Sequence, residues 1–451
     1  MSKGPDLHND SPWLLMKRLS LPGILGMMVL SISSLVDALY LGNLVSTEAF
    51  AGVSLLFPMT LVVTSITGFI AVGSSSVLSR AIGAKDQSIQ QLIIPNLIAL
   101  SLIGSGILII VGILFSKDIV SLLGAEGQVY QSGVDYLQIY LCGAFFSVYG
   151  LAANGLIRSE GKIKQAMTYT VVAVVANIIL TPLFIQTLNL GVKGAAWSSV
   201  ASMVVYSLLT SAYFIRGNAS FKTGKFAIRV EKEIASDVVS IGFSSLTMQI
   251  SNVVRQFIIF RSITYYGTTH DLAVFSAAYR LFSFISIPAM GLLQPLQPVI
   301  GINYGAGNWQ RCVSVLKYFR WGGVIFMASI LIPFLIFPDW FIGLMIPEEP
   351  LRGIELHYIR LVFLALPFLP ISTSAIIYFQ AVGNSRKATM IPLARQAVLF
   401  LPLIFALPYF LGLEGIYYSL VIENILYASI LLFVLEIEMQ KLQSKTSLNC
   451  T

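Results

Sequence analysis

Apolar runs of about 20 residues, enough helix to cross the hydrocarbon of a bilayer, recur along the whole of this chain. Of its 451 residues 56% are hydrophobic and 11% charged. A water-soluble fold is thereby excluded, because so few charges cannot cover its surface. Inside hydrocarbon every backbone polar group needs an internal partner, so the runs are read as helices. Between polar breaks they give twelve spans near 18–42, 50–79, 91–115, 131–156, 165–187, 193–215, 236–266, 272–302, 314–337, 354–382, 389–411 and 415–438. The expected fold is an all-α polytopic membrane protein, with twelve transmembrane helices in two six-helix repeats around a central cavity. The polar start and the long first run predict no cleavable signal peptide.

Lysine and arginine set the orientation. Most of the 28 fall in the termini, at the starts of spans one and nine, or after even-numbered spans, whereas the opposite side holds Lys117, Lys193 and Arg352. Both termini are thus expected in the cytoplasm, and the net charge of +7 follows from topology rather than from a nucleic-acid partner. The longest polar break, 216–235, carries Arg216, Lys222, Lys225, Arg229 and Lys232. It is read as a cytoplasmic linker between an N-terminal lobe, 1–215, and a C-terminal lobe, 236–451.

The halves repeat. "IGAKDQS" at 82–88 matches "YGAGNWQ" at 304–310, "SEGKIKQA" at 159–166 resembles "AVGNSRKA" at 381–388, and "LGVKGAA" at 190–196 resembles "LGLEGIY" at 411–417. The offsets are 222, 222 and 221 residues, which argues for duplication. An even number of helices in each half makes the repeats parallel, a plan common to transporters that bind substrate between their halves.

Asp37 is the principal candidate among charges inside the bilayer. It follows Arg18 by 19 residues, or ~29 Å of helix, and so lies in the outer half of span one. An intramembrane carboxylate is a functional hypothesis by default; the plainer alternative is a structural pair. Asn177 and Ser199, counted from Lys164 and Lys193, reach the same depth. Pro182 has no N–H, so the Ile178 carbonyl loses its helical partner. Thr181 completes a cluster of one carboxylate and several neutral oxygens, an ion-coupling set for H⁺ or, at Asp37, for Na⁺. Ordinary interhelical hydrogen bonding competes with that reading and is preferred for Ser199.

In the second half Glu423, Arg255 and Arg280 are placed at similar depths and form a candidate ion pair that stabilises the lobe. Two cations against one anion leave this half net positive, an odd lining for a site that takes cations. Prolines within the spans (Pro58, Pro288, Pro295, Pro298, Pro402 and Pro408) are more simply static kinks than moving hinges. The Gly-Ala connections at 83–84 and 305–306 lack the strand and the Lys-Ser/Thr ending of a phosphate loop. Cys142, Cys312 and Cys450 support neither a disulfide framework nor a metal site, and His8, His270 and His357 are far apart.

The chain resembles the multidrug and toxic compound extrusion (MATE) family over nearly its whole length. "LVDALYLG" at 35–42, "VLSRAIGAKD" at 77–86 and "NIILTPLFIQTLNLGVKGAA" at 177–196 carry the resemblance in the first half. "QPVIGINYGAGN" at 297–308 and "FQAVGNSRKA" at 379–388 carry it in the second. It implies an exporter that alternates between outward- and inward-open states, driven by H⁺ or Na⁺, commonly for amphipathic organic cations. Family members often place an aspartate four residues after the asparagine of span five; here that position is Thr181, so a copied Na⁺ site loses a carboxylate.

The expectation is therefore a monomeric, ion-coupled efflux antiporter of the cell (inner) membrane, among membrane lipids. It has no cofactor and no bound metal, and H⁺ is preferred to Na⁺. A flippase for lipid-linked saccharides is the alternative, with slight support from Arg255 and Arg280. An intramembrane enzyme needs convergent acid, base or nucleophile groups, and neither His270 nor His357 has an evident acid partner in the sequence.

Overall fold

The computed structural model describes residues 6–343, 351 and 353–448. Arg352 and Cys450, both read above, lie outside them. The chain runs through α1 (Pro12–Leu44), α2 (Phe57–Gly83), α3 (Gln87–Leu114), α4 (Gly127–Cys142 and Ala144–Ser159), α5 (Ile163–Pro182) and α6 (Gly191–Ile215). It continues through α7 (Lys232–Tyr266), α8 (Thr269–Leu293 and Leu296–Gly305) and α9 (Trp309–Ile336). Then follow α10 (Gly353–Phe363 and Leu369–Ala381), α11 (Ser385–Ala394 and Leu401–Leu411) and α12 (Leu413–Leu448). Among the described residues ten of these are long and apolar enough to cross a membrane, and α4, bent by 50° at Gly143, makes an eleventh. The twelfth, α7, is long at 35 residues but carries Glu233, Asp237, Arg255 and Arg261. Its hydroxyls at Ser244, Ser245, Thr247 and Ser251 are buried in protein.

The duplication is written into the helix ends. Pairs 222 residues apart close α1 and α7 (Leu44, Tyr266), α2 and α8 (Gly83, Gly305), and α4 and α10 (Ser159, Ala381). The same spacing relates α3 to α9 at both ends and opens α5 and α11 at Ile163 and Ser385. Gly161 and Gly383 take the same left-handed backbone, φ 83° and 79°, a turn that glycine adopts without a Cβ clash. Lys85, at φ 56°, holds the left-handed place that Gly307 fills in the second half.

Packing divides the chain into two compact units. One contains Leu25–Leu246; in the other, the segment through Ile24 joins the chain from Thr247 onward. The units thus follow helix packing rather than the linker at 216–235, and small residues explain why. In the first unit, α7 lies so close to α2 that a Cβ on Gly242 falls 2.2 Å from the Phe69 carbonyl oxygen. A Cβ on Gly73 falls 2.1 Å from that of Val238. In the second unit, the start of α1 meets α8 at the repeat-equivalent place: a Cβ on Gly23 falls 2.4 Å from the Gly291 carbonyl oxygen. There the Ser20 hydroxyl donates to the Leu292 carbonyl at 2.8 Å. Close backbone approach at small residues is the usual adhesive of membrane helices, where the hydrophobic effect gives none.

Within the first unit α4 packs on α2 and α6, and α5 on α6. The serine-rich run Gly73–Ser79 is buried there, and the Ser159 hydroxyl donates to the Ser75 carbonyl at 3.2 Å. The linker is tied to this unit by the buried Glu160, which accepts from the Tyr213 hydroxyl and the Ser220 amide, each at 2.5 Å. Large apolar side chains cover the outside: Leu122 is 89% exposed and Phe410 79%, which suits a surface bathed in lipid. We expect Gly242→Val to force α2 and α7 apart at a cost of about 1–3 kcal/mol. Thermal unfolding in detergent checks this, and a variant as stable as the parent contradicts the close crossing.

Candidate functional site

The first unit holds the proposed ion-coupling residues in two neighbouring groups. Asp37, on α1, is half-buried, and its carboxylate makes no hydrogen bond or ion pair among the described residues. Tyr136 of α4 stands beside it, within its electrostatic reach and within hydrogen-bonding reach of the Ser199 side chain. One turn further along α1, Leu41 packs with Ile185 and Ala195, with Tyr136 against the same cluster. This brings α1, α4, α6 and the turn that follows α5 together one helical turn from the carboxylate. Ser199 itself donates to the Ala195 carbonyl at 3.1 Å, an ordinary intrahelical bond.

The second group is more deeply buried. The Thr181 hydroxyl donates to the Asn177 carbonyl at 2.8 Å and pairs with the Ser198 hydroxyl at 2.9 Å. The Asn177 amide nitrogen donates to the Ser202 hydroxyl at 3.5 Å, and that hydroxyl donates to the Ser199 carbonyl at 2.8 Å. The Asn177 side-chain oxygen is buried with no hydrogen-bond partner among the described residues. Beyond Pro182 the helix loosens into a single π turn, Leu183–Thr187, as expected where a proline interrupts the ladder. Asp37 and Asn177 share no hydrogen bond among the described residues; Ser199 and Ser202 lie between their groups.

Sequence reasoning missed Tyr136, Ser198 and Ser202. A signal was available for the serines: Gly194, Ser198 and Ser202 recur every four residues, so they form one small-residue stripe facing a neighbouring helix. Tyr136 carried no comparable mark.

The second unit is built around Glu423 of α12, whose side chain is 0% exposed. Arg255 of α7 meets it in a two-point contact, Nη2 to Oε2 at 2.7 Å and Nη1 to Oε1 at 3.0 Å. Arg395, where α11 opens into a π turn at Arg395–Phe400, meets the same carboxylate at 2.5 Å from Nε and 3.2 Å from Nη2. Arg395 Nη2 also donates to the Asn424 side-chain oxygen at 3.1 Å. Each guanidinium lies over an aromatic ring: Arg255 is 5.0 Å from the Phe400 centroid and Arg395 4.4 Å from that of Tyr427. Arg280 is exposed and is not among the partners of Glu423. The missed partner, Arg395, sits inside the apolar run 389–411, and that position was its signal.

A cavity of about 450 Å³ opens beside this cluster, with Arg255 and Arg395 in its wall. Nearer the α8 and α10 termini, His270 Nε2 is 2.9 Å from Glu355 Oε1. That corrects the expectation of no acid partner for His270; the helix start at Gly353 brings in a buried glutamate that the sequence places 85 residues away. His357 instead lies 3.4 Å from the Tyr418 hydroxyl.

Among the described residues twelve long helices in two repeats, eleven of them apolar enough to span and a few carrying buried charges, define a multi-pass membrane transporter. The MatE family model matches residues 22–183 and again 244–406, and the chain belongs to that family. It is 26% identical to the multidrug export protein MepA of Staphylococcus aureus strain MRSA252, over 96% of this chain and 95% of that protein. It is also 26% identical to MepA of Staphylococcus saprophyticus subsp. saprophyticus, over 91% of this chain and 90% of that protein. A crystal structure of MATE in the bent conformation matches with a TM-score of 0.91 and 25% identity, over 99% of this chain and 100% of that one. An outward-facing multidrug resistance MATE transporter of the MOP superfamily matches at 0.88 and 25%, over 98% and 99%.

Removing the carboxylate leaves two guanidinium charges stranded side by side. Glu423→Gln should therefore cost about 3–5 kcal/mol of stability. Adding Arg395→Gln or Arg255→Gln should partly restore it, whereas Arg280→Gln should not couple. Double-mutant cycles by thermal unfolding in detergent measure this; additive effects at all three arginines contradict the triad.

Proposed function

We propose that this chain is an ion-coupled antiporter that exports amphipathic small molecules by alternating access. It acts as a monomer in the inner membrane, with both termini in the cytoplasm, and catalyses no covalent chemistry. Membership of the MATE family and the multidrug export of the MepA relatives support efflux as the direction. One observation carries the coupling assignment. Of the two carboxylates read here as coupling or lobe-stabilising, Glu423 is held by two arginines, while Asp37 is unpaired among the described residues and free to exchange an ion.

The proton is preferred to sodium as that ion. A sodium ion shed of its water needs several oxygens around it, at least one usually charged. Here Thr181 stands in place of the second carboxylate, and its hydroxyl is already engaged with Ser198 and the Asn177 carbonyl. A proton needs one carboxylate and a path to it, which is the usual role of an intramembrane acid in pumps and transporters. The neighbouring hydroxyls of Tyr136, Ser199 and Ser202 suit such a path. A second reading, a flippase for lipid-linked saccharides, draws on the excess positive charge beside the second-unit cavity.

Efflux from proteoliposomes tests the coupling. It should run on an imposed pH gradient in sodium-free buffer and gain nothing from a sodium gradient at constant pH. Asp37→Asn, which keeps size and hydrogen bonding but cannot cycle a proton, should abolish gradient-driven efflux while the protein stays folded in the membrane. Thr181→Asp should strengthen any sodium response. Transport that requires sodium and ignores the pH gradient contradicts the proton assignment, and full efflux by Asp37→Asn contradicts the role of Asp37.

A further inference from the structure

The second-unit cavity carries more charge than its own chemistry balances. Arg255 and Arg395 are both in its wall, each side chain less than a fifth exposed at 14% and 18%. Arginine does not lose its proton in proteins, and Glu423 is the one carboxylate they share. The cluster is therefore at least singly positive whatever the protonation of Glu423. Among the described residues no other acidic or basic side chain lines the cavity. An uncompensated charge in the mostly apolar wall of a cavity in a membrane protein is costly, and a bound anion lowers that cost.

The rest of the wall suits a particular kind of anion. Gln249 and Asn252 line the cavity and their side chains make no hydrogen bond among the described residues, so their amides are available to a ligand. Tyr279 and Phe282 form an aromatic face on another side. A volume of about 450 Å³ falls in the range of small-molecule pockets. The two guanidinium groups are fixed in place by Glu423 and by the rings of Phe400 and Tyr427, so little ordering is left to do when a ligand arrives.

We propose that this cavity seats the oxyanion, carboxylate or phosphate, of an amphipathic substrate whose apolar body lies along the aromatic wall. The assignment deepens the antiporter reading and rests on it for the word substrate. Arg395 supplies the excess charge; Arg255 and Glu423 alone form a balanced pair. The oxyanion belongs either to a soluble organic acid or to a lipid headgroup.

Equilibrium binding to the full chain in detergent, with chloride replaced by gluconate, tests this with shape-matched probes: 2-naphthoate, 2-naphthamide and 2-naphthylmethylammonium. Wild-type protein should bind the carboxylate about tenfold or more tighter than the amide or the ammonium, as a charge-assisted hydrogen bond provides. Arg395→Gln should remove that advantage, bringing carboxylate affinity down to that of the amide, and Arg395→Lys should keep part of it. Displacement of naphthoate by a short-chain phosphatidic acid at equal concentration assigns the oxyanion to a lipid; its failure to displace assigns it to a soluble acid. Equal or tighter binding of the ammonium overturns the proposal on wild-type protein alone, however the variants fold. So does an Arg395→Gln variant with an undiminished carboxylate preference. Carboxylate binding without any gradient-driven efflux instead overturns the antiporter reading and leaves an oxyanion site whose ligand is not a transported substrate.

Discussion

Charge in hydrocarbon is expensive, and the structure is organised by how it meets that expense. Glu423 is buried completely and is answered by two arginines rather than one. Those arginines come from α7 and α11, so the ion cluster draws three helices of the second unit together at one point. The arrangement is a strong constraint on conformation, because separating any member strands a buried charge. Asp37 is treated differently. It is half-buried, with the Tyr136 hydroxyl near it and, among the described residues, no cation against it, which leaves its charge state open to change.

The two halves share a backbone plan yet divide the chemistry. At the common 222-residue spacing, Asp37 corresponds to Ile259, which is buried in an apolar cluster. Arg255 corresponds to Ser33, and Arg395 to Ala173. None of the charges that matter has a counterpart in the other repeat. Duplication thus accounts for the helices, their ends and their left-handed turns, while divergence at a few positions accounts for a half-buried carboxylate in one unit and a cationic cavity in the other. The same small-residue crossing at Gly242 and at Ser20–Gly23 appears in both repeats, so the packing plan was kept as the polar groups changed.

Much of this was legible beforehand, for definable reasons. Helix number and repeat spacing follow from hydrophobic length and from motifs such as "IGAKDQS", both of which are local properties. The packing units were not legible: Gly23 and Gly242 look like any membrane glycine until their neighbours are known. Depth counting brought Arg255 to Glu423 and also suggested Arg280, which lies at a similar depth but is exposed. Depth fixes height along a helix and leaves rotation about its axis open, and rotation separates Arg280 from Arg395. The partnership of His270 with Glu355 was hidden for a related reason, since it joins the ends of two helices distant in sequence.

The central claim is that Asp37, and not Glu423, is the carboxylate that takes up and releases the proton. Infrared difference spectra of the reconstituted protein across a pH step report carboxylic acid protonation directly through its carbonyl band. The account predicts a pH-dependent band in wild-type protein that Asp37→Asn removes and Glu423→Gln leaves in place. A band that survives Asp37→Asn and disappears in Glu423→Gln contradicts it.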